Sequence, residues 1–436
     1  MPIIPSDSAR EALESAVDRP LAQQASATQV SADQGHASHS PPGSSTSSVA
    51  EWLASPGAAT HDLRASSALY HHPLVRDIAW LLSTPDLLHI SAYPRPSLSS
   101  LGLADSNVRH RWLSELEQQP QILEGAIDEH RHYRLGRYHE LLWQFVLKHA
   151  PDSRLLISNL AIKDAKITLG ELDLIYQTSS ERAPTHLEVA IKFYLGLPEG
   201  PGAVNSPARW IGPGGADSLA IKYQRSLHHQ LPLAHTPKGL HTLRAALDKI
   251  ERDETGLEKV EPEVPLQQQL ALPGCLFRPW QPETILADHL PPPAGCHPDT
   301  AMQAGWWVHL SDFPAFCAAL SKISTDEAVR EQQCLQGIVR EKPAWLAPPL
   351  KEDLVPWHAL DDWLHQHFCV SEQHTSRPPH PRQLWLELTP EISSVTSHSV
   401  IPSATTHVSH QWRVFVVPDD WPNQVPLPPV NKVRWQ

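Results

Sequence analysis

Apolar positions recur with a helical period ahead of residue 150 and with a period of two after it. In PLVRDIAWLLSTPDLL (73–88), Leu74, Ile78, Leu81 and Leu82 form one stripe, which predicts a helix. A second helix is expected over 107–118 with Ser106 or Asn107 as N-cap, because a short polar side chain there satisfies free backbone N–H groups. A third, longer helix is expected over 123–148, stopped by Pro151, with Leu142, Phe145, Val146 and His149 around one side. After that the period changes. LLISNLAI (155–162) is apolar and suits a strand. LGELDLIYQ (169–177) alternates, with Leu172, Leu174 and Tyr176 on one face and Glu171, Asp173 and Ile175 on the other. THLEVAIKFYL (185–195) alternates too. It sets Leu187, Val189, Ile191 and Phe193 against Glu188, Ala190, Lys192 and Tyr194. A Gly/Pro-rich loop (198–215) leads to a helix over 217–230, ended by Pro232. The order helix, strand, strand, strand, helix describes an α/β core with an antiparallel meander.

The flanks read differently. Residues 1–67 are rich in Ala, Ser, Gln, Pro and His around HASHSPPGSSTSS, too little apolar surface to offset ordering entropy, so a disordered N-terminal extension is expected before a core at 68–250. ERDETGLEKVEPEVP (251–265) is expected to be an acidic linker. Beyond it, strand-like runs at 271–277, 306–310, 384–388 and 412–417 imply a C-terminal α/β extension, 266–436. The pattern leaves open whether those strands extend the core sheet or build a second domain.

Composition narrows the class. The 436 residues include 43 prolines and 15 tryptophans, which predicts interrupted elements and ordered loops. No run approaches the roughly 18 apolar residues of a membrane span. MPIIPSDSAR has neither the basic nor the apolar region of a secretory leader. The five cysteines are scattered without a C-x-x-C pair, which argues against a disulfide framework or zinc knuckle and for a reducing cytoplasm. A net charge of −13 argues against non-specific coating of nucleic acid. The charge is uneven, however. Residues 131–250 hold 15 Lys+Arg against 10 Asp+Glu, while the remainder holds 20 against 38. The locally basic stretch suits an anionic substrate.

That stretch also carries the candidate chemistry. Glu140 lies on the third helix, Asp173 on one alternating strand, and Glu188 and Lys192 on the next, with only Ala190 between them on their face. Carboxylates on adjacent strands can hold a hard cation such as Mg²⁺ or Mn²⁺, which neutralises a phosphodiester and acidifies a bound water. A nearby lysine can orient or deprotonate that water. Glu171, two residues before Asp173, is a candidate auxiliary acid. Lys222, Arg225 and Gln230 on the following helix are candidate phosphate contacts. IGPGG before that helix fits neither nucleotide-binding glycine pattern, and the 27 histidines include no H-E-x-x-H.

G-E-L-D followed by E-V-A-I-K, behind a helix reading L-G-R-Y-x-E, is similar to the PD-(D/E)XK nuclease superfamily. More closely, LGRYHELLWQFVL, TLGELDLIY, HLEVAIKFYLG, WIGPGGADSLAIK, KPAWLAPPL and RVFVVPDDWP resemble the bacterial DUF1853 family, over roughly 70–423. The resemblance implies a restriction-endonuclease-like core with N-terminal helices and a C-terminal α/β extension within one family unit. It implies Asp173 and Glu188 as metal ligands, Lys192 as catalytic lysine and Glu140 as the acid completing the site. The partner implied is nucleic acid, DNA or RNA. One departure stands out: the superfamily places the acid two residues before the lysine, where this chain has Ala190, and Glu188 lies four before. The alternative is therefore a catalytically inactive nuclease-fold module that binds nucleic acid or protein. The catalytic reading requires the three acids and the Lys192 amine to meet.

Overall fold

The computed structural model describes residues 69–127, 134–181, 183–253, 266–281, 290–322, 333–374, 379–390 and 411–427. The extension expected at 1–67 and most of the acidic run, 254–265, lie outside the described residues. Helix α1 (Pro73–Ser83) buries Leu74, Ile78, Leu81 and Leu82 as its stripe requires. It stops at Ser83, short of the expected 88, because Thr84 precedes Pro85 and takes an extended conformation. Helix α2 (Ser106–Gln118) is capped by Asp105, one residue ahead of the expected caps, whose carboxylate accepts the N–H groups of Asn107 and Val108. The single helix expected over 123–148 is described as two, α3 (Gln121–Ile127) and α4 (Leu135–His149).

Strands β1 (Ser153–Asp164) and β2 (Ile167–Thr178) form an antiparallel hairpin, and β2 pairs antiparallel with β3 (Thr185–Val189). The strand expected over 185–195 does not run through. It breaks after Val189 and resumes as β4 (Lys192–Gly196) in a different sheet. After β5 (Trp210–Ile211), helix α5 (Leu219–Arg225) widens into a π turn over Ser226–Gln230 and continues as Leu231–Leu233. Pro232 therefore does not end it: the wide turn, in which Leu231 N–H reaches Ser226 O, accommodates the ring. Helix α6 (Pro237–Asp253) follows, then β6 (Gln267–Ala271) and β7 (Gly274–Pro279).

The later strand-like runs are strands: β8 (Gly305–His309), β9 (Gln333–Arg340), β10 (Val355–Pro356), β11 (Arg382–Pro390) and β12 (Gln411–Val417). Helices α7 (Pro298–Met302), α8 (Phe313–Leu320) and α9 (Trp357–His374) are interspersed. One sheet has the order β1-β2-β3-β6 and the other β10-β9-β11-β12-β8-β7-β4-β5. Mixed α/β architecture holds, and residues after 266 continue both sheets. Among the described residues no helix is long and apolar enough to cross a membrane.

Two adjacent chain segments join the sheets. β6 runs parallel to β3, and β7 parallel to β4. Both segments break at the same level: Ala190 N–H donates to Ala271 O at 2.9 Å, and Lys192 N–H to Pro273 O at 3.2 Å. Pro273 offers no N–H in return, so the ladder cannot continue evenly. Alternation survives the break. Leu187, Ile191 and Phe193 enter the core beneath α1 and α4, while Ala190 and Tyr194 enter a second cluster with Leu219 and Leu270.

Gly274 holds this crossing closed, since a Cβ there would stand 1.8 Å from the Lys192 carbonyl oxygen. Gly274→Ala is expected to destabilise the protein by about 3 kcal/mol, as overpacking against backbone does, read as a lowered urea midpoint. An unchanged midpoint would mean the crossing has slack.

Candidate functional site

Strand register brings the central acids together. Leu174 pairs with Leu187, so continuing by one residue sets Asp173 opposite Glu188. Asp173 Oδ2 accepts the Val189 N–H at 3.0 Å. Glu188 is fully buried and lies beside Leu270 of β6 on its other side. Its Oε1 is 3.4 Å from Lys222 Nζ, which reaches in from α5 and also donates to Gln230 Oε1 at 2.8 Å. Glu188 Oε2 accepts no N–H or O–H donor among the described residues; the Asp173 carboxyl lies within reach of sharing a proton with Glu188.

Glu140 stands at the margin. Its Oε1 accepts from Arg137, from Asn159 and, at 3.0 Å, from Gln144. Asn159 lies within β1 with a left-handed φ of 56°, a conformation asparagine tolerates better than most residues. Burial first, and then the Glu140 charge, push the Asp173 carboxyl up to about 6 against the Val189 N–H and the Lys222 ammonium. Glu188 is raised as well, by burial and then by Asp173, with Lys222 opposing. Lys222 is lowered by burial, with Glu188 opposing. Two acids and one amine thus share a space where water is scarce.

Lys192 does not occupy the place expected of it. Its Nζ is 2.5 Å from Asp217 Oδ2, and the Tyr194 hydroxyl donates to the same oxygen at 3.1 Å. The reason is the break after Val189, which puts Lys192 in the other sheet from Glu188. Lys222, expected only as a phosphate contact, is the amine that meets the acids, with Gln230 beside it. Of the other expected residues, Glu171 is exposed opposite Ala161, and Arg225 is exposed on α5. Three participants were missed: Asn159, Asp217 and the new role of Lys222. The polar Asn159 inside the apolar run LLISNLAI was a usable signal. Nothing in the spacing pointed to Asp217.

Asp217 precedes Ser218, the N-cap of α5, whose hydroxyl accepts the Ile221 N–H at 3.3 Å. The Lys192–Asp217 pair therefore ties the start of the helix carrying Lys222 to β4. Among the described residues no group of three or more His, Cys, Asp or Glu side chains is arranged to hold a metal ion. What the chain offers a cation is the pair Asp173 and Glu188. That donor set suits Mg²⁺ or Mn²⁺, which accept one or two carboxylates and retain waters. The buried Glu188 oxygen that accepts no N–H or O–H donor fits such a group.

A family model described as Domain of unknown function (DUF1853) matches residues 76–417, which is most of the chain. No curated protein matches, and no solved structure does.

The raised Asp173 carboxyl has a stability consequence. A carboxyl whose pKa is higher folded than unfolded binds its proton more tightly in the native state, so its contribution is complete below the unfolded value and is lost as pH rises. With Asp173 moving from 3.8 to about 6, wild type is expected to lose on the order of 2–3 kcal/mol relative to Asp173→Asn between about pH 4 and pH 6. Urea titrations across that window check it; parallel curves would show Asp173 titrating normally.

Proposed function

We propose that the chain, which belongs to the DUF1853 family, is a divalent-metal-dependent phosphodiesterase acting on nucleic acid from a PD-(D/E)XK-like core. The observation that carries this reading is Glu188: a fully buried carboxylate opposite Asp173, with no N–H or O–H donor at one oxygen and an amine at the other. Structural carboxylates are seldom left so. A cation held between the two acids would take the place of the proton they otherwise share.

Asp173 and Glu188 would hold Mg²⁺ or Mn²⁺, and the ion would neutralise the phosphate and acidify a bound water. Lys222 takes the role that resemblance assigns to Lys192. Its Nζ, held by Glu188 Oε1 and Gln230 Oε1, would orient the attacking water and set positive charge beside the phosphorus. Gln230 orients the Lys222 amine. Glu140, fixed by Arg137, Asn159 and Gln144, faces Asp173 with a second negative charge and so favours a cation there. Lys192 and Asp217 position α5. The five cysteines are free thiols in the structure, which fits a cytoplasmic setting.

The second reading, an inactive nuclease-fold module binding nucleic acid or protein, is favoured by Ala190 and by the Asp217 partner of Lys192. One assay separates the two. Full-length protein is incubated with single- and double-stranded DNA and RNA in Mn²⁺ or Mg²⁺. Cleavage is expected, and Asp173→Asn, Glu188→Gln and Lys222→Met should each reduce it at least about 100-fold. Lys192→Met, acting only through α5, should reduce it about tenfold or less. No cleavage of any substrate would leave the inactive reading standing. Cleavage insensitive to Lys222→Met would overturn the role given to that amine.

A further inference from the structure

A cavity of about 400 Å³ lies between the 84–98 segment and β6, the edge strand of the four-stranded sheet. Leu270 and Leu272 form part of its wall. Leu270 is the register partner of Glu188, so the cavity begins one strand spacing, about 4.8 Å, from the strand that bears the acid. The 84–98 segment is fastened to that edge: Leu87 N–H donates to Leu272 O at 2.8 Å, and Leu272 N–H to Asp86 Oδ1 at 2.9 Å.

The polar groups lining the cavity are unequally committed. Arg95 donates to Thr84 O and, at 2.9 Å, to Leu81 O, approaches Asp86 Oδ1 at 3.5 Å and stacks 5.6 Å from the Trp143 ring centroid. It is a strut and not an anion clamp. Asp86 Oδ1 is likewise occupied, whereas Oδ2 takes part in no hydrogen bond among the described residues. Thr84, 3% exposed, has a buried hydroxyl with no partner. Asp299 adds a second carboxylate, and His89 and His297 also line the space.

A phosphate or other anion is poorly served here, because the Arg95 guanidinium is committed to backbone carbonyls and to Asp86, and Asp299 adds a further carboxylate. The complementary guest is neutral, largely apolar in area, and donates N–H groups to Asp86 and Thr84. Cavities of this size take small organic rings. A nucleobase has that chemistry, and guanine presents N–H donors along its pairing edge. In a duplex that edge is occupied, so only an unpaired or everted base can offer it.

We infer that this cavity is a subsite for one unpaired nucleobase, guanine in preference to uracil, of a nucleic-acid strand whose phosphodiester lies at Asp173 and Glu188. The phosphate half rests on the nuclease reading above, and the base half rests on the cavity alone. The substrate class is then single-stranded or locally unpaired nucleic acid.

The test titrates full-length protein calorimetrically with the uncharged nucleosides guanosine and uridine, without divalent metal. Guanosine is expected to bind, with uridine at least about tenfold weaker. Asp86→Asn keeps the acceptor for Leu272 N–H but replaces the free acceptor with a donor. It should weaken guanosine about tenfold or more and narrow the gap to uridine. If Asp86→Asn does not fold, Thr84→Val supplies the second variant and should weaken guanosine several-fold. Failure of both nucleosides to bind wild type, or equal affinity in the folded variants, overturns the subsite. Asp173→Asn distinguishes the two readings, since it should remove cleavage and leave nucleoside binding intact. Binding without any metal-dependent cleavage sinks the nuclease reading alone. Cleavage without nucleoside binding sinks the subsite alone.

Discussion

Two carboxyls facing each other in the interior of a sheet set the terms for everything around them. Like charges directly across a strand pair repel, and burial deprives both of water. Asp173 is relieved in part by the Val189 N–H, and Glu188 by the Lys222 amine. Neither partner satisfies Glu188 Oε2. An apolar pair at these positions would make a more stable sheet, since replacing buried ionic groups with packed hydrophobes is often neutral or stabilising. That the chain keeps the acids, and surrounds them with Glu140 and Lys222, is the physical ground for regarding the place as a site.

The strand crossing decides which amine serves. A strand that stayed in one sheet would have set Lys192 two alternations beyond Glu188 on the same face. Because the ladder is interrupted at Pro273 and tightened at Gly274, the chain passes into the second sheet after Val189. Lys192 then belongs with Asp217 and Tyr194, and the space beside Glu188 is filled from α5. The displaced lysine still bears on the site indirectly, since its partner stands one residue ahead of the α5 cap. Sequence spacing and spatial role have come apart at the point where a sheet ends.

The repeating features were legible in the sequence. Alternation over 169–177 and 185–195 identified Asp173 and Glu188 as residues of neighbouring strands, and the stripe of α1 identified its buried face. Local chemistry that competes with a repeat was harder to read. Pro273 lies 81 residues beyond Lys192 in sequence, yet it stands at the break that separates Lys192 from β3. Pro232 looked like a helix stop and is absorbed by a π turn. Asp105 caps its helix in place of Ser106 or Asn107, a choice among three adjacent cap-forming residues. At the two prolines a neighbour distant in sequence, or a small change of helical pitch, outweighed a local preference. The join between the sheets was illegible for the same reason, because parallel pairing of β3 with β6 depends on contacts across about 80 residues.

Charge explains why recognition would be concentrated in a few groups. A chain with a net charge of −13 cannot hold nucleic acid by a basic coat. Within the locally basic stretch Arg137 is paired with Glu140, Lys192 with Asp217 and Lys238 with Asp164, so these three cations are held by acids and do not face a phosphate backbone unpaired. On the proposed reading, affinity would come from a cation at the acids, which would draw one phosphate in, and from contacts that need no charge. A half-apolar cavity one strand away from the acids would supply such contacts, and only for a base that is not already paired. The acidity of the chain and the selectivity of the proposed site would then be one property: a surface that repels duplex in general would admit a strand only where a specific phosphate and a specific base are both accepted.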